Sequence, residues 1–346
     1  MLADVHADSP GLPAGLRDTS GSGPDLCPSS AVLAQVTRAG LLESVHLGSV
    51  VVTDPDGSIA WAAGSASRRV FSRSANKPMQ TLAMVRAGLP LDGELLALAC
   101  GSHSGEPFHV DGVRAILASA GVDECALANP REYPGDVRAR KYWIRDRKRR
   151  SSVTMRCSGK HAAMILTCAR NGWSIPDYLD PQHILQKAIT EEIAECCNEP
   201  APTVATDGCG APTHAVGLAG LALAFGRLTS APEGSDERRI ADACRAHPEY
   251  VSGSLRQSAR LMRAVPGLLC KSGAEGVYAA GLPDGRGVAI KIDDGAPRAR
   301  GVALAATLQA MGVHGEEIAA QCLRPIRSGN IQVGEVSPGA VFGSYR

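Results

Sequence analysis

Ser74 and Lys77 stand three residues apart in Ser74-Ala75-Asn76-Lys77, at the head of a segment with helical periodicity. That spacing puts a hydroxyl and an amine on one helix face. A neutral lysine there can take the serine proton, and the helix N-terminus offers N–H groups and a positive field to a developing oxyanion. The chemistry is acyl transfer through an acyl-serine. Alone the motif is weak, because a capping serine followed by a surface lysine gives the same string. Lys271-Ser272-Gly273 strengthens it. A K-[ST]-G step is the late companion of S-x-x-K in acyl-serine enzymes, and a strand beside the serine helix can bring a second lysine and an oxyanion N–H.

Three further polar islands interrupt apolar sequence. Cys100-Gly101-Ser102-His103-Ser104 follows an apolar run. Ser102 can be the middle hydroxyl of a Ser/Lys network, and His103 either a base or part of a helix cap. Cys157-Ser158-Gly159-Lys160-His161 and Asp207-Gly208-Cys209 supply two thiols and a nitrogen, a donor set that suits zinc with an open fourth position. Cys157 pairs with Lys160 at i,i+3 and with His161 at i,i+4, so either nitrogen can chelate from one helical turn. Chemistry alone favours His161, because lysine must first lose a proton. The alternative is two free cysteines in tight turns.

The chain has only seven lysines, at 77, 141, 148, 160, 187, 271 and 291, against 29 arginines. Arginine stays protonated in proteins, whereas lysine can act as a base or ligand, so each lysine merits inspection. Residues 138–150 carry eight Lys and Arg against one Asp146. A nucleic-acid patch is one reading. A solvated flap is the other and is preferred; Tyr142 and Trp143 would let it serve as a lid.

The net charge of +1 argues against a whole-protein nucleic-acid or membrane role. Met1 to Ser30 is rich in Pro, Gly, Ser and Asp and lacks the basic start and apolar run of a secretory signal, so the expected location is cytoplasmic. Eleven cysteines, an odd number, do not suggest a disulfide framework in such a compartment.

The elements that must position these groups follow from periodicity. Residues 1–30 are expected as a disordered arm, and 31–346 as a single catalytic domain. Residues 32–64 read as strands, with Asp54-Pro55-Asp56-Gly57 turning a hairpin between 49–53 and 58–63. Helices are expected at 76–87, 93–100, 107–120, 159–171, 181–197, 213–228, 236–246, 254–265 and 299–311, with no regular periodicity over 129–156. A short strand at 203–206 and a hairpin of 276–282 with 287–293 complete the pattern. Strands at both ends with helices between imply an α/β chain of the α+β type, in which the two termini build one antiparallel sheet under packed helices.

As a set and in order, Arg73-Ser74-Ala-Asn-Lys77-Pro78, Cys100-Gly-Ser102-His103-Ser104, Cys157-Ser-Gly-Lys160-His161-Ala, Thr206-Asp207-Gly208-Cys209 and Lys271-Ser-Gly-Ala-Glu275-Gly resemble the L-asparaginase II family, the rhizobial-type asparaginases, over roughly 31–340. The resemblance implies a serine β-lactamase/glutaminase-like fold. It implies two Ser–Lys pairs, Ser74–Lys77 and Ser102–Lys271. It also implies a metal site of Cys157, Lys160 and Cys209, zinc by expectation, which displaces His161 as ligand and assists substrate binding more than bond cleavage. Arg73, Asp207, His161 and Glu275 are then expected around the substrate, with Asp207 on the α-ammonium and Arg73 orienting the serine. The stretch 138–150 and the N-terminal arm look unlike the family pattern. The expected activity is hydrolysis of L-asparagine to aspartate and ammonia. The expected assembly is a homodimer that binds a small molecule, with no nucleic acid and no membrane. The alternatives are a β-lactamase or penicillin-binding-type enzyme, a glutaminase, or a zinc-stabilised nucleic-acid-binding protein.

Overall fold

The computed structural model describes residues 29–200 and 202–345. The arm expected over 1–30 therefore lies almost wholly outside the described residues. Strands β1 (Ala31–Arg38), β2 (Leu41–Thr53) and β3 (Ile59–Ala63) open the chain. The Asp54–Gly57 turn closes the β2–β3 hairpin where expected, with Gly57 N–H donating to Asp54 O at 2.9 Å. A short β4 (Arg69–Phe71) follows, then a 3-10 turn over Arg73–Asn76.

Six helices come next: α1 (Lys77–Arg86), α2 (Gly93–Ala99), α3 (Pro107–Ser119), α4 (Val137–Arg145), α5 (Ser158–Asn171) and α6 (Ile184–Cys197). Helix α5 is buried from Ser158 to Cys168 and so keeps no solvent face there. Helix α4 was not expected. Its Asp136 cap accepts from Ala139 N–H, none of its residues is fully buried, and it is short and dominated by basic side chains, so it does not stand out in the sequence.

Strands β5 (Thr203–Thr206) and β6 (Pro212–Gly217) lead into α7 (Leu218–Ser230). The expected helix at 213–228 is therefore strand in its first part. A short, continuously apolar run cannot by itself separate a buried strand from a buried helix. Here Pro212 removes a donor and Gly217 caps the helix. Helices α8 (Asp236–Ala246), α9 (Pro248–Ser252) and α10 (Gln257–Ala264) precede β7 (Leu269–Ser272), β8 (Val277–Gly281) and β9 (Gly287–Ile292). Helices α11 (Pro297–Ala310) and α12 (Glu316–Cys322) and strands β10 (Arg324–Ser328) and β11 (Ile331–Pro338) close the chain.

The large sheet runs β10-β11-β1-β2-β9-β8-β7, with β3 also paired to β2, and every pairing is antiparallel. The first and last described strands, β1 and β11, pair in it, as expected. A second sheet, β4-β6-β5, was not foreseen. Helices α7 and α11 pack on the large sheet. The α7 contact is tight: a Cβ at Gly287 would stand 1.9 Å from the Ala222 carbonyl oxygen. Gly287→Ala is expected to destabilise the protein by about 2–4 kcal/mol. Chemical denaturation checks this, and an unchanged midpoint would show that α7 can move off the strand.

Candidate active site

The 3-10 turn and α1 meet between Asn76 and Lys77, so Ser74 and Lys77 lie across a boundary and not within one α-helix. The consequence for spacing is favourable, since three residues per turn bring i and i+3 into eclipse. Arg73 sits at φ +50°, a left-handed conformation that a non-glycine residue adopts only under constraint. Its side chain supplies one: Nε and Nη2 reach Asp207 Oδ1 at 2.9 and 2.7 Å. Ser74 is half-buried at the surface of this turn.

Lys77 is buried, and its Nζ donates to the Gly101 carbonyl. From the other side Lys271, at the end of β7, donates to Ser102 Oγ at 2.9 Å and to Ser272 O at 3.0 Å. The two lysines thus converge on the Gly101–Ser102 step that follows α2. Gly273 explains the third letter of Lys-Ser-Gly: a Cβ there would meet Ser72 O at 2.7 Å, so only glycine lets β7 close on the serine turn.

Burial pulls the Lys271 ammonium well below its usual pKa, and the neighbouring positive charges of Lys77 and Arg300 add to that. Burial lowers Lys77 as well, with Lys160 adding repulsion while the Cys157 thiolate opposes it. Both shifts favour the neutral amine that proton abstraction needs.

Lys160 behaves differently. Burial acts downward, but Cys209, Cys157 and Asp207 together outweigh it and raise its pKa. Its Nζ lies 3.6 Å from Cys209 Sγ. Cys157 and Cys209 share a small buried cluster with Met155 and Ala211, and both are free thiols. They split as a coupled pair: the Cys209 thiol and then the Lys77 and Lys160 charges favour the Cys157 thiolate, against burial, whereas Cys157 and burial push the Cys209 thiol upward. Two sulfurs and an amine thus gather in one place. No group of three or more His, Cys, Asp or Glu suited to a metal occurs among the described residues, so a metal here would need the lysine.

Asp207 is held by the Arg73 pair and by Gly208 N–H at 2.8 Å, all on Oδ1. Burial would raise its pKa, but the Arg73 and Gly208 hydrogen bonds and the Lys160 charge bring it below the usual value. His161 faces the interior. Its Nδ1 lies 2.7 Å from Tyr178 Oη, and its Nε2 has no partner among the described residues. Burial holds its pKa far down. Glu275 lies exposed in the turn after β7, also at positive φ.

His103 belongs to the scaffold. Gly105 N–H donates to its Nδ1 at 3.1 Å, so Nε2 carries the proton and donates to Ser158 Oγ at 2.8 Å. Both nitrogens are committed to tying the Ser102 loop to α5. The basic stretch forms α4 and the segment after it, and Asp136, Arg138, Ala139, Tyr142, Trp143, Asp146 and Lys148 line one wall of a cavity of about 570 Å³ against α3 and Ser254–Leu255. None of the Ser–Lys residues lines that cavity. The residues missed in the sequence are Gly101, whose carbonyl anchors Lys77, and Arg300, one of 29 arginines and marked by no motif.

A half-buried serine on the turn against which β7 closes, with two buried lysines of lowered pKa meeting at Gly101–Ser102, can carry serine–lysine acyl chemistry. The sequence model of the L-asparaginase II family matches residues 34–338. The chain belongs to that family and is a hydrolase. No curated protein sequence matches it. Among solved structures, Mglu in its native form is 14% identical with a TM-score of 0.44, covering 82% of this chain and 69% of that one. A β-lactamase from Mycobacterium bovis is 16% identical with a TM-score of 0.38, covering 73% and 89%. No described helix is long and apolar enough to cross a membrane.

Proposed function

We propose that the protein hydrolyses L-asparagine to L-aspartate and ammonia through an acyl-serine on Ser74. The observation that carries this reading is the convergence of two buried lysines on the Gly101–Ser102 step beside the Ser74 turn; the family match supplies the substrate class. Neutral Lys77 takes the Ser74 proton as Oγ bonds to the side-chain amide carbon. The tetrahedral adduct collapses with cleavage of the C–N bond, and the leaving nitrogen receives a proton through Ser102 and Lys271. Water then attacks the ester, Ser74 regains its proton, and aspartate leaves. Asp207 binds the α-ammonium through Oδ2, since its described hydrogen bonds fall on Oδ1. Arg73 holds Asp207 and the serine turn in place.

Cys157, Cys209 and Lys160 would hold a zinc ion. The donor set fits, because two thiols and an amine already adjoin. Bound there, the ion supplies a fixed positive charge that draws substrate polar groups into place. Lysine binds a metal only as the neutral amine, so Lys160 would have to give up its proton to hold the ion. About one zinc per chain is expected in protein purified without chelator, and Cys157→Ala or Cys209→Ala should lose it. Metal analysis checks this; wild-type metal content in either variant would sink the site.

Ammonia release from asparagine, glutamine and a β-lactam, assayed side by side, tests the function. The reading expects asparagine as the best substrate; preference for either of the others would replace it.

A further inference from the structure

We propose that Arg300 recognises the α-carboxylate of the amino-acid substrate and so decides which amides the site accepts, an inference that rests on the amidohydrolase reading above.

Arg300 lies in the first turns of α11, and its guanidinium donates to the Gly273 carbonyl. Gly273 is the residue packed against Ser72–Ala75, so this bond holds the guanidinium at the rim of the serine turn. Among the described residues Arg300 forms no ion pair, and one backbone oxygen accepts from a group with five N–H donors. Arg156, whose carbonyl holds the Ser102 loop through His103 N–H, also forms no ion pair among the described residues. A partly buried cation without a counter-charge is costly, and an arriving anion relieves that cost. Burial, and the Arg156 charge against the opposing influence of Tyr278, hold the Arg300 guanidinium below its usual pKa.

Arg156 is exposed, and four other cations of the site are already engaged. Arg73 is tied to Asp207. Lys160 lies against Cys209. Lys77 and Lys271 serve carbonyl and hydroxyl oxygens. A zwitterionic substrate whose amide meets Ser74 and whose ammonium meets Asp207 still presents a carboxylate. The planar fork of Arg300 matches it with two parallel N–H donors.

The test compares L-asparagine with 3-aminopropanamide, which keeps the amide and amine but lacks the α-carboxylate. Wild-type full-length protein should prefer asparagine strongly in kcat/KM. Arg300→Met should lower that preference by roughly 100-fold, mainly through KM for asparagine, and Arg300→Lys should recover only part of it. Equal losses on both substrates would show that Arg300 acts only by bracing Gly273, and would overturn the proposal. So would a wild-type enzyme without preference, a result that stands even if Arg300→Met does not fold. Wild-type protein that releases no ammonia from asparagine would instead remove the asparaginase reading. In that case calorimetric binding of L-aspartate and β-alanine judges the carboxylate site by itself, and equal affinity for the two would overturn it.

Discussion

Ser74→Ala is expected to lower kcat for asparagine by about 10⁴- to 10⁶-fold, with the fold intact. The serine is half-buried in a 3-10 turn, and its Oγ makes no hydrogen bond among the described residues. Losing that oxygen therefore opens no large cavity and strands no buried partner, and the thermal midpoint should move little. Lys77→Met should fall nearly as far, because it removes the base for the same proton transfer, and combining the two should cost little more than either alone. Lys77 is buried against Gly101 O, so its variant also needs a stability check. Ammonia release by Ser74→Ala within tenfold of wild type would dismiss Ser74 as nucleophile.

Lys271→Met is expected to cost about 10²- to 10⁴-fold in kcat. Lys271→Arg should be no better, although it keeps a positive charge, because arginine does not give up its proton near neutral pH. The amine of Lys271 is 2.9 Å from Ser102 Oγ. Burial and its cationic neighbours depress its pKa well below that of a free lysine. A relay that hands a proton to the leaving nitrogen must hold that proton and release it readily, so kcat should fall with rising pH as Lys271 empties, and the inflection should lie well below the range of a free lysine. An active Lys271→Arg enzyme would show instead that the residue supplies charge alone, and the proton relay through Ser102 would have to be abandoned.

Much of this was legible in the residues. The Asp-Pro-Asp-Gly turn placed the β2–β3 hairpin because its residues tolerate the backbone angles the turn imposes. The scarcity of lysine singled out Lys77, Lys160 and Lys271, and these are the three lysines that the fold buries together. Other features were hidden for definable reasons. Helix α4 is short, mostly basic and buries no residue fully, so its period is masked by the run of charges around it. Strand β6 looked like helix because burial on both sides erases the alternation that marks a strand. His161 seemed the better ligand by proton chemistry, yet the fold turns its ring to Tyr178 and sets Lys160 beside Cys209.

By itself, then, the sequence determined the types of reactive group, their local spacing, and the placement of strands at both ends of the chain. Those are short-range properties, set by periodicity, turn chemistry and the proton affinity of each side chain. Only the tertiary structure decided which distant groups meet: Lys271 with Ser102, Cys157 with Cys209, Arg73 with Asp207, and Arg300 with Gly273. It also decided the sign of each pKa shift. Lys77 and Lys271 are driven toward neutrality, while Lys160, chemically the same group, is driven toward charge. The difference comes from desolvation and from the charges brought in by other segments, and neither is written within a few residues of the lysine itself.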